Sequence, residues 1–217
     1  MEQLDFCRFC NIITNYSMGQ IANNLSPIYD TVLYNTDNFL AVPALGALVP
    51  GYIMIMSKKH INSMAYLSEK EMAELINSVE YLKAILLKNF GILPILFEHG
   101  SAVGSSNKSA CCVEHAHWHL APLRLSSSAE VIQNTKAIKI SDLQSIRTFK
   151  DKPYLLYVNN KGDIYISCDT ILPSQYMRKW MAAEIGRPKE WDWRLYEFKD
   201  NITSTITVFK SQVNQII

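Results

Sequence analysis

The sequence lacks an excess of charge of either sign. Its 21 Lys and Arg residues are matched by 20 Asp and Glu residues, which leaves a formal net charge of +1. Proteins that bind nucleic acid or anionic membranes usually present a broad basic surface. The composition therefore argues against a nucleic-acid or membrane partner, although a few local donors could still hold a small anionic ligand.

Long apolar runs are also missing, since no stretch approaches the roughly 18 residues that a membrane span needs. Residues 1–8 lack the basic region followed by an apolar run that a secretory signal requires. Five cysteines, an odd number, argue against a disulfide framework and for reduced thiols or a metal site. We therefore expect a soluble, cytoplasmic protein.

Apolar side chains are plentiful, because 48% of the residues are hydrophobic and can supply a substantial core. A capping-box pair, Ser68 and Glu71, followed by apolar residues at helical spacing predicts a helix that ends at Gly91. Stretches rich in β-forming residues predict strands at 39–42, 52–57, 95–97 and 112–121. This order predicts an α+β fold in which a helix covers one face of an antiparallel sheet.

The second half of the chain has elements of its own after a small, polar stretch at residues 125–128. The predicted elements are a hairpin with strands at 154–158 and 164–166, and a helix around Met177 to Met181. We therefore expect a main domain at residues 1–124 and a smaller α+β C-terminal extension at residues 125–217.

Three histidines alternate along the last strand of the predicted main domain. Because alternate side chains of a strand point to the same side, His115, His117 and His119 would lie together on one face. Like charges disfavour each other, so at least one clustered imidazole should be neutral near pH 7 and hence nucleophilic. Two other interpretations stay open, namely core histidines with satisfied hydrogen bonds and a metal centre built from all three rings.

Several segments in this order carry a resemblance to a known family. The segments are residues 39–43, residues 48–61 with the helix that follows, and residues 114–120. Together they resemble the histidine-triad (HIT) superfamily of nucleotide hydrolases and transferases over roughly residues 5 to 124. More loosely, residues 97–100 and 191–194 resemble a bacterial branch of larger triad proteins with a C-terminal extension.

The resemblance implies a nucleotide ligand and a two-step reaction. His117 would attack the α-phosphorus of a nucleoside phosphoanhydride or phosphoramidate, such as a dinucleoside polyphosphate, to give a nucleotidyl-histidine that water resolves. His119 would donate to a non-bridging or leaving-group oxygen, and His115 would hold His117 in the required tautomer. A histidine rather than glutamine at residue 119 favours a hydrolase over a transferase. The alternatives are a non-catalytic nucleotide-binding module and a metal-dependent hydrolase.

A Gly- and Ser-rich loop precedes the triad strand, where backbone N–H groups and hydroxyls could contact phosphate. Its candidate substrate-binding residues are Gly100, Ser101, Gly104, Ser105 and Ser106. Many triad proteins have Asn before this loop, whereas this chain has His99. His99 is therefore predicted either to contact phosphate or the leaving group, or to be a structural histidine.

Cys7 and Cys10 have the Cys-x-x-Cys spacing that wraps one tetrahedral metal ion, but two ligands make only half of a structural zinc site. A redox pair and two buried thiols without a metal are the alternatives. The resemblance implies that His60 and His115 complete a structural zinc site. The resemblance also implies a possible homodimer. The C-terminal extension would then either cover the substrate pocket or form a dimer contact.

Overall fold

The computed structural model describes residues 7–18, 28–102, 114–125, 128–168 and 172–213. Within these ranges the predicted α+β fold is confirmed, because eight strands form one antiparallel sheet with the order β1-β2-β3-β5-β4-β7-β8-β6. The strands are β1 (Tyr34–Asn35), β2 (Phe39–Pro43), β3 (Ile53–Ser57), β4 (Ile95–Gly100), β5 (His117–Ala121), β6 (Ile138–Ile140), β7 (Tyr154–Val158) and β8 (Ile164–Ser167).

Helices pack on the sheet and connect its strands. They are α1 (Arg8–Ser17), α2 (Glu69–Phe90), α3 (Ala129–Thr135), α4 (Tyr176–Glu184) and α5 (Lys199–Val213), together with 3-10 turns at Ile28–Asp30, Met64–Tyr66 and Leu143–Phe149. None of the helices in the described ranges is long and apolar enough to cross a membrane.

The hairpin of β2 and β3 and the helix α2 form as predicted. The Ser68 side chain accepts from the Glu71 N–H while the Glu71 side chain accepts from the Ser68 N–H, so the capping box is complete. Gly91, with φ of 71°, ends the helix in the left-handed conformation that glycine adopts most easily. The apolar stripe of α2 packs against one face of the sheet through Met72, Leu75, Val79, Leu82 and Leu86.

Strands from the second half of the chain continue the same sheet. The predicted hairpin of β7 and β8 is confirmed, and β7 pairs with β4 from Leu96 opposite Val158 to Gly100 opposite Tyr154. A β-carbon on Gly100 would lie only 2.4 Å from the Tyr154 ring, so packing of β7 requires glycine there. One sheet therefore runs through both parts of the chain, while the division at residue 124 stays a prediction.

The second face of the sheet is covered by helices from both ends of the chain. Phe9 and Ile12 of α1 and Met177 and Met181 of α4 belong to one buried cluster with the side chains of this face. Ile202 and Ile206 of α5 join them. The sequence predicts only α4 among these three helices, and it predicts a helix on one face of the sheet. The structure has helices on both faces.

Candidate active site and metal centre

The five histidines of this chain all lie in one region around the start of β5. His117 and His119 lie on the face of β5 that α1 and α4 cover, and their ring centroids are 4.7 Å apart. His115 precedes the strand, which begins at His117. The prediction that β5 already includes residues 114–116 is wrong, because the Ala116 N–H donates to the Ile61 carbonyl at 2.7 Å, outside the sheet.

The backbone fixes the tautomer of His117. Its Nδ1 lies 2.7 Å from the carbonyl oxygen of His115, and because a carbonyl only accepts, Nδ1 must carry the proton. Burial lowers the pKa of His117 to about 4, and the hydrogen bond to His115 only partly opposes this shift. The ring is therefore neutral at pH 7, with an unprotonated Nε2. The ring of Phe9 packs edge-on against it, with centroids 4.9 Å apart.

His119 is held by two aromatic side chains. Its Nδ1 lies 3.0 Å from the hydroxyl of Tyr52, and its ring stacks on Phe97 with centroids 4.3 Å apart and an interplanar angle of 10°. Burial, followed by the charges of His117, His99 and Arg178, lowers the pKa of His119 well below its usual value. This ring is thus rigidly placed and neutral beside His117.

His99 lies on β4 next to these two rings. Burial lowers its pKa to about 3, with a further contribution from His117. Among the described residues no group hydrogen-bonds to its buried Nε2. A buried polar atom without a partner is costly, which is a reason to expect a ligand there. Of the other predicted substrate-binding residues, Ser101 donates from Oγ to the Asn62 carbonyl at 3.1 Å.

The rest of the predicted phosphate-binding loop, Gly104, Ser105 and Ser106, lies outside the described residues.

Directly before His99, the carboxylate of Glu98 accepts hydrogen bonds from three donors in the core. These are the Met64 N–H at 2.8 Å, the Trp118 Nε1–H at 2.9 Å and the Tyr154 hydroxyl at 2.5 Å. Burial nevertheless raises the pKa of Glu98 to about 7. This network locks β4 against β5 and β7 where His99 projects.

Two of the five cysteines, Cys7 and Cys10, lie close to the two remaining histidines, His60 and His115. The ligand atoms of Cys7, Cys10, His60 and His115 all lie within 4.8 Å of one another. Sulfur to Nδ1 distances are 3.4 Å from Cys7 to His115, 3.3 Å from Cys10 to His60 and 3.5 Å from Cys10 to His115. Tetrahedral zinc with ordinary bond lengths places a sulfur and a nitrogen ligand about 3.5 Å apart, so the cluster has the right size.

Two further observations fit a cation in this cluster. His115 donates from Nε2–H to the Ser57 carbonyl at 2.7 Å, which leaves Nδ1 unprotonated toward the cysteines. Burial, together with Cys7, raises the pKa of the Cys10 thiol to about 11. Two thiols this close would ionise together only with a cation between them. The four residues could therefore hold a metal ion. The alternative metal centre, built from all three triad rings, is disfavoured because the His115 ring faces the cysteines and the Ser57 carbonyl instead of His117 and His119.

The connection between β2 and β3, residues 44–52, is held by the C-terminal part of the chain. Arg178 of α4 donates to the Gly46 carbonyl at 2.7 Å, Asn201 of α5 donates to the Ala47 carbonyl at 2.7 Å, and the Gly51 N–H donates to the Thr205 hydroxyl at 2.8 Å. Since this connection ends at Tyr52, the C-terminal helices fix the side chain that contacts His119.

Sequence reasoning missed Phe9, Tyr52, Phe97 and Arg178 as parts of the site. A signal was present for Tyr52, which is two residues from Met54 and so lies on the same side of the chain as the residue opposite His119. No comparable signal marks Arg178. Two of its hydrogen-bond partners, the Leu45 and Gly46 carbonyls, lie more than 130 residues away in the sequence.

Comparisons with known proteins give one family and many related structures. Residues 26–125 match the family model of the HIT domain. A comparison with curated proteins found no matching sequence. A histidine triad nucleotide-binding protein from Sulfolobus tokodaii is 22% identical, with 54% of this chain and 68% of that chain covered and a TM-score of 0.40.

Two further solved structures are similar to this chain at lower sequence identity. A HIT family hydrolase from Clostridium thermocellum is 20% identical, covering 56% of this chain and 94% of that chain, with a TM-score of 0.39. A zinc-bound histidine triad family protein from Mycobacterium smegmatis is 16% identical, covering 67% and 93%, with a TM-score of 0.42. At these identities and TM-scores, the solved structures carry no argument about a substrate or a metal for this chain.

Proposed function

Because residues 26–125 of this chain form a HIT domain, we propose that it is a nucleotidyl hydrolase that acts through a covalent intermediate on His117. The observation that carries this proposal is the hydrogen bond from Nδ1 of His117 to the His115 carbonyl. It leaves a neutral Nε2 with a free electron pair beside two further neutral histidines. That arrangement suits nucleophilic attack on phosphorus.

In the proposed reaction, Nε2 of His117 attacks the α-phosphorus of a nucleoside phosphoanhydride or phosphoramidate. A P–N bond to His117 forms while the bond from phosphorus to the leaving group breaks. His119 donates a hydrogen bond to a departing phosphate oxygen, or gives its proton to a departing amine. Water then attacks the same phosphorus and releases the nucleoside monophosphate and free His117. Its proton goes to His119 where that ring has protonated the leaving group, and to solvent where the leaving group departed as an anion. The substrate class includes dinucleoside polyphosphates.

We assign the remaining substrate contacts to the end of β4 and the loop after it. The unpartnered Nε2 of His99 supports a contact with a phosphate or leaving-group oxygen. Gly100, Ser101, Gly104, Ser105 and Ser106 are proposed as the phosphate-binding segment. Hydrogen-bond donors placed around the phosphoryl oxygens would stabilise the charge that develops in the transition state.

We further propose that the metal is structural zinc bound by Cys7, Cys10, His60 and His115. When bound, zinc would supply a fixed tetrahedral anchor and no reactive coordination position. It would hold the His115 backbone, whose carbonyl orients His117. The zinc site thus positions the nucleophile without taking part in the reaction.

Trapping of the intermediate tests the proposed function. Full-length protein is mixed with a dinucleoside polyphosphate labelled at the α-phosphorus, quenched within milliseconds to seconds, and analysed by mass spectrometry. We expect one nucleotidyl group per wild-type chain and none on the His117→Ala variant. Wild type that binds nucleotide without turnover or adduct would instead be a non-catalytic binding module. Turnover without an adduct, lost on chelation and restored by metal, would indicate a metal-dependent hydrolase.

A further inference from the structure

Arg178 is a buried cation in the part of the chain that follows the HIT domain. Arg178 is only 6% exposed and lies on α4, a helix outside residues 26–125. The nearby carboxylate of Asp192 forms its ion pair with Arg194 instead. Burying a guanidinium costs free energy unless it is fully hydrogen-bonded, so a buried arginine at this position suggests a specific role for its charge.

Backbone carbonyls aim the guanidinium of Arg178 at Tyr52. Nε donates to the Trp191 carbonyl at 2.9 Å and Nη2 donates to the Gly46 carbonyl at 2.7 Å. In this position Cζ lies 5.9 Å from the centroid of the Tyr52 ring. Burial raises the pKa of Tyr52 to about 12, and the positive charge of Arg178 partly offsets this effect.

The direction of the hydrogen bonds then follows from the chemistry of the side chains. A guanidinium only donates, so Arg178 offers no acceptor for the phenolic proton of Tyr52. The phenolic proton is therefore left to donate to Nδ1 of His119, 3.0 Å away. A ring that accepts at Nδ1 carries its own proton on Nε2. His119 is thus in the tautomer opposite to that of His117, whose Nδ1 is protonated.

We propose that Arg178 is a positioning residue that acts through Tyr52 to hold His119 in its Nε2–H tautomer and to support proton transfer from it to the leaving group. The transfer to the leaving group rests on the proposed function, whereas the tautomer does not. With a basic leaving group, Nε2 of His119 gives up its proton while Nδ1 takes the proton of Tyr52. The phenolate that remains is stabilised by the positive charge of Arg178. When water attacks in the second step, its proton goes to Nε2 and the Nδ1 proton returns to Tyr52.

The tautomer is tested by NMR on uniformly ¹⁵N-labelled full-length protein, using long-range correlations between ring protons and ring nitrogens. We expect wild-type His119 to carry its proton on Nε2, and both Tyr52→Phe and Arg178→Met to raise the Nδ1–H population. Lys189→Met, which removes an exposed charge from the same part of the chain, should leave the spectrum unchanged. A wild-type His119 protonated at Nδ1 overturns the proposal, even if the Arg178→Met variant does not fold.

A second measurement compares leaving groups. The Tyr52→Phe and Arg178→Met variants should lose roughly 10- to 100-fold in kcat on an alkylamine phosphoramidate, whose leaving group needs a proton. They should lose little on the p-nitrophenyl ester of the same nucleotide, whose leaving group does not. Equal losses on both substrates, or an unchanged tautomer in folded Arg178→Met, contradict the role of Arg178. No turnover of either substrate by wild type contradicts the proposed function instead, and the NMR result still decides the tautomer.

Discussion

His117 and His119 are neighbours on one strand, but opposite ends of the chain hold them in place. On the N-terminal side, Phe9 packs on His117, and the cluster of two cysteines and two histidines holds the residue whose carbonyl orients that ring. On the C-terminal side, Tyr52 contacts His119, and hydrogen bonds from α4 and α5 hold the connection that ends at Tyr52.

The two supports differ in how their strength is distributed. Four ligands of the proposed metal ion would act as a unit, so the loss of one would weaken the whole cluster. The C-terminal support consists of separate hydrogen bonds, each worth about 1 kcal/mol when intact. We therefore expect steep losses on the N-terminal side and graded losses on the C-terminal side.

The largest effect is expected for Cys7→Ser. Structural zinc contributes roughly 10–16 kcal/mol of binding free energy in small domains, so removal of one thiolate should cost several kcal/mol of stability. Metal analysis of protein purified without added metal should find near one zinc per wild-type chain and far less in the variant. The thermal midpoint should fall in parallel.

Cys168→Ser is the matched control for this experiment, because Cys168 packs with the cluster on the α2 face of the sheet. Its zinc content should equal that of wild type. Equal zinc in Cys7→Ser and wild type would remove the metal assignment, and with it the contrast between the two sides.

An intermediate effect is expected at Glu98, whose carboxylate accepts hydrogen bonds from Met64, Trp118 and Tyr154 in the core. Its folded pKa of about 7 exceeds the usual 4.5, so between these values the folded state binds the extra proton. Stability therefore falls as pH rises through this window, by about 3 kcal/mol in total. Below pH 4.5 both states are protonated and the penalty is absent, and above pH 7 it is constant.

Urea unfolding of wild type and Glu98→Gln at several pH values between 5 and 8 measures this penalty. The amide does not titrate, so the free energy of unfolding of the variant should rise relative to that of wild type as pH rises. This trend should hold whatever the stability of the variant at pH 5. Parallel curves for the two proteins over the whole range would show that Glu98 has an ordinary pKa.

The smallest effect is expected for Thr205→Val, which keeps the shape of the side chain but leaves the buried Gly51 N–H without its acceptor. An unsatisfied buried N–H costs about 1–3 kcal/mol. Urea unfolding should show this loss, with zinc content unchanged. Thr207→Val, on the exposed side of the same helix, should change stability by less than about 0.5 kcal/mol. A loss as steep as that of Cys7→Ser would contradict the graded behaviour of this side.

Sequence patterns of short range predicted the fold well. The capping box of α2 and the two hairpins depend on residues a few positions apart, and all three are confirmed. The spacing of Ile202, Ile206 and Phe209 could also have predicted α5, because these side chains are buried at helical intervals.

The site was less accessible from sequence. The departure of His115 from β5 depends on the hydrogen bond between Ala116 and Ile61, and periodicity cannot show such a contact. The pairing of Tyr52 with Arg178 depends on how α4 docks across the sheet, which no local pattern specifies. The residue types of the triad predict a nucleophilic chemistry, which stays a prediction, and tertiary contacts determine which nitrogen of each ring is free.

The pairing of β4 with β7 has a practical consequence for the design of a shorter fragment that contains the histidine triad. A chain cut after residue 125 would expose the backbone N–H and C=O groups of β4 along five ladder positions. Unprotected edges of this kind recruit strands from other molecules. Such a fragment should aggregate or pair with itself in solution, and its behaviour would then report on that artificial edge rather than on the intact chain.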